Sequence, residues 1–167
     1  MNMLLPNATD PVLWRGPVIS GVVKQFWEDV QWGDVDFLFV DMPPGTGDVP
    51  LTVFQSLPIN GILIVSTPQS LVSMIVDKAM NMAQMMQVPV LGMVENMRFL
   101  RCPDCGKEIP LFGSDDHVDN HTVPVLERIP LDPTVAAACD AGKLEQAEID
   151  YLAKTAVMLT ETFGKKQ

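Results

Sequence analysis

Residues 37–48 read F-L-F-V-D-M-P-P-G-T-G-D, and their interpretation decides the fold. The apolar run over residues 37–40 predicts a buried parallel strand, because a strand covered on both faces has no polar alternation. Asp41 then stands at the carboxyl end of that strand, followed by a Pro- and Gly-rich turn. Ligands of open α/β sheets bind just outside the carboxyl ends of strands. A carboxylate there is placed to hold Mg²⁺ beside a nucleotide phosphate, directly or through water. An Asp that caps the next turn and faces solvent is the plain alternative for the same residue.

The flanking sequence repeats the pattern. Further strands are predicted at residues 61–66, 90–95 and 123–126, with residues 1–5 as a strand remnant and 6–17 as a loop. Helical periodicity runs over residues 18–31, through Ile19, Val22, Val23, Phe26, Trp27 and Val30. A short helix is expected at 48–56. A longer one at 70–86 would bury Leu71, Met74, Ile75, Ala79, Met82 and Met86. Its methionines read as adaptable core filler rather than a soft-metal site. Residues 96–112 read as a loop and 114–121 as a short helix. Helices at 133–141 and 145–163 are stopped by Gly142 and Gly164. Strands and helices alternating at this spacing imply βαβ units, an α/β fold with a parallel sheet flanked by helices. One domain accommodates all 167 residues.

Composition narrows the function. Hydrophobic residues make up 47% of the chain, which fits doubly covered strands or surface that a further part of the fold or a second subunit covers. A formal charge of −10 argues against a nucleic-acid partner, which needs a basic face. No apolar run approaches the roughly 20 residues of a membrane helix, and the first residues lack a signal-peptide pattern. A cytoplasmic location and no membrane partner are therefore expected. Three cysteines, two of them close together, do not make a secreted disulfide framework.

Those two, Cys102 and Cys105, bracket Pro-Asp and precede Gly106, a turn in which two thiolates can converge on one metal. Two thiolates are half of a usual zinc or [4Fe–4S] site, and three completions are open. A second copy of the chain can supply the other pair across a two-fold axis. His117 and His121 give a local C-x₂-C-x₁₁-H-x₃-H, near zinc-finger spacing. Against this, Asp115 and Asp116 would occupy a core position of such a finger, and no hairpin pattern links cysteines to histidines. Lastly, the pair can be a redox disulfide, although residues 97–101 separate it from the preceding strand. Cys139, in V-A-A-A-C-D, reads as a small buried hydrophobe.

Six segments in order resemble one family: W-R-G-P at 14–17, D-M-P-P-G-T-G-D at 41–48, S-T-P-Q at 66–69, V-E-N-M at 94–97, C-P-D-C-G at 102–106 and I-P-L-D-P at 129–133. The chain resembles the Mrp (ApbC, Nbp-type) iron–sulfur carrier ATPases of the MinD-like P-loop proteins. The resemblance implies a labile [4Fe–4S] cluster bridging a homodimer through Cys102 and Cys105, delivered to apoprotein acceptors. It assigns Asp41 to Mg²⁺, Thr46 and Asp48 to the response to the γ-phosphate, Asn96 to the adenine edge of ATP, and Pro130 to packing on the base. The sequence departs from the family where Leu126-Glu127 replaces Leu-Gly, and in a shortened stretch after Phe112-Gly113.

No G-x-x-x-x-G-K-[ST] run is present to cradle phosphates. By resemblance, residues 1–167 correspond to the C-terminal part of the family's single domain, a truncated MinD-like P-loop NTPase fold that includes the metal-binding loop 97–113. Little ATPase activity is expected of the chain alone. A zinc-bound or metal-free interaction module that complements a separately encoded N-terminal half is the competing reading. A MinD-like positioning ATPase has no need of paired thiols, and residues 164–167 are too short for its amphipathic membrane tail.

Overall fold

The computed structural model describes residues 16–112 and 123–164, which group into two units, Met1–Ile59 and Asn60–Gln167. The expectations for residues 1–5, for most of 6–17, for the helix at 114–121 and for His117 and His121 lie outside the described residues.

In the first unit, helix α1 (Gly16–Glu28) packs with α2 (Asp48–Ser56) through small and polar side chains. Ser20 and Thr52 share a hydroxyl hydrogen bond of 2.8 Å, and the Thr52 hydroxyl donates to the Asp48 carbonyl at 2.7 Å. A Cβ on Gly16 would fall 2.5 Å from the Asp48 carboxylate, so only glycine lets the two helix starts approach this closely without displacing that side chain. Pro50, Thr52 and Val53 are buried, whereas α1 buries no residue fully.

Residues 37–40 form no strand, which corrects the reading of that run as a buried parallel strand. Among the described residues its backbone has no ladder partner, and Phe39 is 69% exposed. Alternate rings still share a side, as extended backbone requires: Phe37 and Phe39 stack with centroids 6.4 Å apart. The physical reason is that a central strand is completed by ladder partners, and no described residue pairs with this segment. The apolar pattern reports what the segment needs, not what it has.

In the second unit, β1 (Ile62–Ser66), β2 (Val90–Glu95) and β5 (Val125–Arg128) form a parallel sheet in the order β1-β2-β5. Helix α3 (Ser70–Met85) connects β1 to β2 and covers one face. The core is Ile64, Val76 and Met93, with Ile62, Val72, Met80, Val90 and Val123 around it. The inward stripe of α3 therefore runs through buried Val76 and Ala83 and partly buried Val72 and Met80, while Met74 and Ile75 are exposed. This corrects the expectation for Met74 and Ile75, whereas Ala79, Met82 and Met86 are half-buried and the Leu71 side chain lies outside what is described. Apolar residues surround much of this helix, and the sheet rather than the period selects the face.

Central β2 is buried from Gly92 to Glu95, as a strand covered on both sides should be. Edge strand β1 instead leaves Val65 67% exposed. Beyond β5 come α4 (Pro133–Asp140), a 3₁₀ turn (Leu144–Gln146) and α5 (Ala153–Phe163), which lies against β5 and buries Thr155 and Leu159. The single helix expected over 145–163 is thus broken. Asp132 caps α4 through the Thr134 N–H at 2.8 Å and also accepts from the Tyr151 hydroxyl at 2.7 Å, anchoring the intervening turn. No helix among the described residues is long and apolar enough to cross a membrane.

Candidate functional site

Residues 96–112, expected as a loop, contain an antiparallel hairpin of β3 (Phe99–Arg101) and β4 (Glu108–Pro110), paired Phe99 with Pro110, Leu100 with Ile109 and Arg101 with Glu108. The last pair carries opposite charges, with Arg101 Nη2 3.1 Å from Glu108 Oε1, and the Arg101 guanidinium lies 5.8 Å from the Phe99 ring centre. Both groups are exposed, so the ion pair orients the hairpin tip more than it stabilises it. The readable signal was this opposite-charge pair on either side of a C-x-x-C-G turn.

Cys102 and Cys105 sit in that turn. The Cys102 N–H donates to the Lys107 carbonyl at 2.9 Å, and the Gly106 N–H donates to the Cys102 carbonyl at 2.9 Å. Gly106 has φ +71°, the left-handed conformation that glycine adopts without a Cβ penalty. The result is a closed knuckle. The Cys105 N–H, then the Asp104 N–H, then the Cys105 thiol direct hydrogen bonds at the Cys102 sulfur and hold its pKa below the ordinary thiol range. Thiolate is the form in which cysteine binds a metal, and these donors favour that form at Cys102. Cys102 is half-buried and Cys105 exposed. Among the described residues no third Cys, His, Asp or Glu joins them. Among the described residues, the knuckle of one chain thus brings two thiols together. Cys139 is exposed on α4, which corrects its reading as a buried hydrophobe: α4 buries none of its residues.

Asn96 and Pro130 lie together at the carboxyl ends of neighbouring β2 and β5. The Asn96 N–H donates to the Ser66 carbonyl at 2.7 Å, and its side-chain Oδ1 accepts from the Met97 N–H at 3.0 Å. Met97 takes φ +54°, so the Asn96 amide also turns the chain out of the strand. Pro130 is buried. Glu127, where the family has glycine, turns to α5 and accepts from the Lys154 and Thr155 N–H groups at 2.8 and 3.2 Å. That departure is accounted for by the cap it provides to a helix whose own N-cap side chain makes none.

Asp41, Thr46 and Asp48 belong to the first unit, and all three are exposed. Gly45, at φ +89°, makes the turn between them, and Asp48 occupies the first turn of α2, where a carboxylate suits the helix dipole.

A charged cluster that the sequence reading passed over lies beneath the hairpin. Glu95, only 1% exposed, ends β2. Its Oε2 is 3.1 Å from Arg128 Nε and 3.7 Å from Arg98 Nε, while Oε1 is buried with no hydrogen-bond partner among the described residues. An unmatched buried acceptor costs about 1–3 kcal/mol. Its signal was an acid closing a buried strand with an arginine three residues on. The second unit also has a shallow, mostly apolar depression of about 260 Å³ lined by Met80, Gln84, Val88, Val90 and Val123. Val90 opens β2, so the depression lies at the opposite end of the sheet from the cysteines and carries no comparable chemistry.

Comparison with known proteins identifies the family and the fold. A family model described as a NUBPL-type (ParA) iron-transfer P-loop NTPase matches residues 1–162. An iron–sulfur cluster carrier protein of Clostridium perfringens is 44% identical over 149 residues, covering 87% of this chain and 52% of the relative. One from Methanocaldococcus jannaschii is 44% identical over 143 residues, covering 83% and 49% respectively. The solved structure of a nucleotide-binding protein from Archaeoglobus fulgidus, in complex with ADP and with Co found in it, superposes with a TM-score of 0.72. It is 41% identical and covers 80% of this chain and 56% of that one. The chain spans about half the length of the curated relatives it matches.

Proposed function

The chain belongs to the NUBPL-type iron-transfer P-loop NTPase family, and from that premise we propose that it carries iron–sulfur cargo on the Cys102–Cys105 knuckle. Two copies each give both thiolates to one labile [4Fe–4S] cluster and pass it to apoprotein acceptors. The observation that carries this reading is the preformed turn, in which backbone N–H groups face the Cys102 sulfur while Cys105 stays exposed. Four thiolates are the usual complement of such a cluster, and a two-fold contact doubles the two that one chain offers. Exposure at Cys105 suits release, which proceeds by ligand exchange with an acceptor's thiols.

Nucleotide enters this reading through the sheet ends. Asn96 would meet the adenine edge, since an amide both donates and accepts, and Pro130 would pack on the base. Asp41 would support Mg²⁺, with Thr46 and Asp48 responding to the γ-phosphate. In the intact family ATP hydrolysis is coupled to cluster transfer. The present sequence has no phosphate-cradling lysine loop, so slow or absent turnover is expected of it.

A second reading has its own support: a cysteine knuckle on a two-stranded hairpin suits Zn²⁺ as well as iron. Anaerobic iron and sulfide reconstitution, followed by absorption and by mass in solution, separates them. A dimer-linked cluster lost in Cys102→Ala and Cys105→Ala is the expected result. A chain that stays colourless under reconstitution but retains zinc would overturn the carrier reading in favour of an interaction module.

A further inference from the structure

The hairpin joins the sheet along one short seam. The Arg98 N–H donates to the Ile129 carbonyl at 2.9 Å and the Leu131 N–H to the Phe99 carbonyl at 2.8 Å, while the Leu111 N–H closes the base of the hairpin itself on the Arg98 carbonyl at 3.3 Å. From the sheet side, the Ile129 N–H donates to the Glu95 carbonyl at 2.8 Å. Under this seam lies the Glu95 carboxylate, with its side chain 2% exposed, between Arg98 at 7% and Arg128 at 50%. Arg98 begins the segment that carries the cysteines, whereas Arg128 is the last residue of β5. Glu95 thus contacts both sides of the joint.

Stability alone does not explain such a group. Well-packed apolar side chains in place of a buried ion pair are often neutral or stabilising, and here one carboxylate oxygen is also unmatched among the described residues. What charges provide and apolar contacts do not is direction. A carboxylate fixed at the end of a buried strand defines where the guanidinium of Arg98 must lie, and with it the exit of β3.

We propose that Glu95 is a positioning residue for the metal site: held between Arg98 and Arg128, it sets the direction in which the hairpin leaves the sheet. It thereby sets where Cys102 and Cys105 are presented to a second copy of the chain. The proposal rests on the carrier reading above, because a shared site demands a fixed hairpin angle whereas a site complete within one hairpin does not.

The test uses Co²⁺ as an anaerobic probe, read by thiolate-to-cobalt absorption, together with amide hydrogen exchange of the metal-free chain. In Glu95→Gln the shape is kept and the charge removed. Co²⁺ should bind about tenfold more weakly or worse, the scale seen when outer partners of metal ligands are changed. Exchange should quicken at the amides of Arg98, Leu111 and Leu131, with those of β1 and α3 unchanged. Arg128→Gln alters the half-exposed side of the same cluster and should reproduce the pattern more mildly, which keeps the test open if Glu95→Gln does not fold. Faster exchange throughout the second unit would make Glu95 a general fold residue and overturn the proposal. Wild-type binding that persists unchanged in both variants overturns the proposal alone. A wild-type chain that takes up no Co²⁺ overturns the carrier reading, and the proposal with it.

Discussion

Replacing Gly106 by alanine isolates the energetic role of the knuckle. Gly106 holds φ +71°, and among the described residues no atom beyond its chain neighbours lies within 4 Å of the position an added Cβ would take. What the substitution meets is the left-handed backbone itself, which costs an L-residue about 1–2 kcal/mol. If the metal needs this turn, that cost appears in the binding constant, at tenfold for every 1.4 kcal/mol. A site within one chain would then weaken by about five- to thirtyfold. A site built from two copies carries the penalty twice, about 2–4 kcal/mol, or roughly thirty- to several-hundred-fold. Anaerobic Co²⁺ titration against a chelator of known affinity measures the difference, and its size reports how many chains share the metal. Gly106→Asn is the control, because Asn tolerates the left-handed region better than most residues, and it should lose less. Equal Co²⁺ affinity in the wild type and Gly106→Ala would refute the argument that the closed turn prepares the thiolates.

Three further outcomes follow from the geometry. Glu127→Ala removes both hydrogen bonds capping α5 and should destabilise the chain by about 1 kcal/mol in denaturant unfolding, with Glu127→Gln recovering part of the loss. The Tyr151 hydroxyl, then the Thr134 hydroxyl and N–H, hold the Asp132 pKa below its ordinary value, while Asp132 raises that of Tyr151. The contribution of Asp132 is therefore present above about pH 4 and fades as pH falls through its lowered pKa; that of Tyr151 is present below about pH 10 and fades as pH rises through its raised one. Tyr151→Phe should flatten the stability profile at both ends, and an unchanged profile would exclude the bond as its cause. A Cβ on Gly92 would lie 2.5–3.0 Å from the Leu126 side chain, so Gly92→Ala should cost about 1–3 kcal/mol by overpacking, with Leu126→Val giving part of it back in a double-mutant cycle.

Much of the second unit was legible because its signals are local. The apolar runs at β1 and β2 and the helix between them are visible within short windows, and Asp132-Pro133 announces the start of α4 as plainly as any cap and Pro pair can. What escaped depends on residues distant in sequence. The hairpin at β3 and β4 has three residues a side, too few for a period, and it is held by bonds to Ile129 and Leu131. The helix over 145–163 was overextended because Tyr151 is drawn to Asp132, nineteen residues earlier, and the turn between them interrupts the period. Segment 37–40 failed for the converse reason, since its composition is that of a central strand but its pairing is absent among the described residues. At the site, the cysteine knuckle was legible as a motif, whereas the Glu95 cluster required the sheet that juxtaposes β2 with β5.

The run at residues 37–40, which has no ladder partner among the described residues, has a consequence for handling the protein. Four large apolar side chains on extended backbone are the kind of window from which intermolecular β-structure grows. Asp36 and Asp41 close it at either end, acting as gatekeepers that keep like charges between neighbouring copies. That protection is electrostatic and therefore conditional. The isoelectric point lies near 4.4, and as the pH approaches it the overall repulsion between copies falls away. Colloidal stability should thus fail on mild acidification and improve at neutral pH and low salt, with this strand-like window as the first point of self-association.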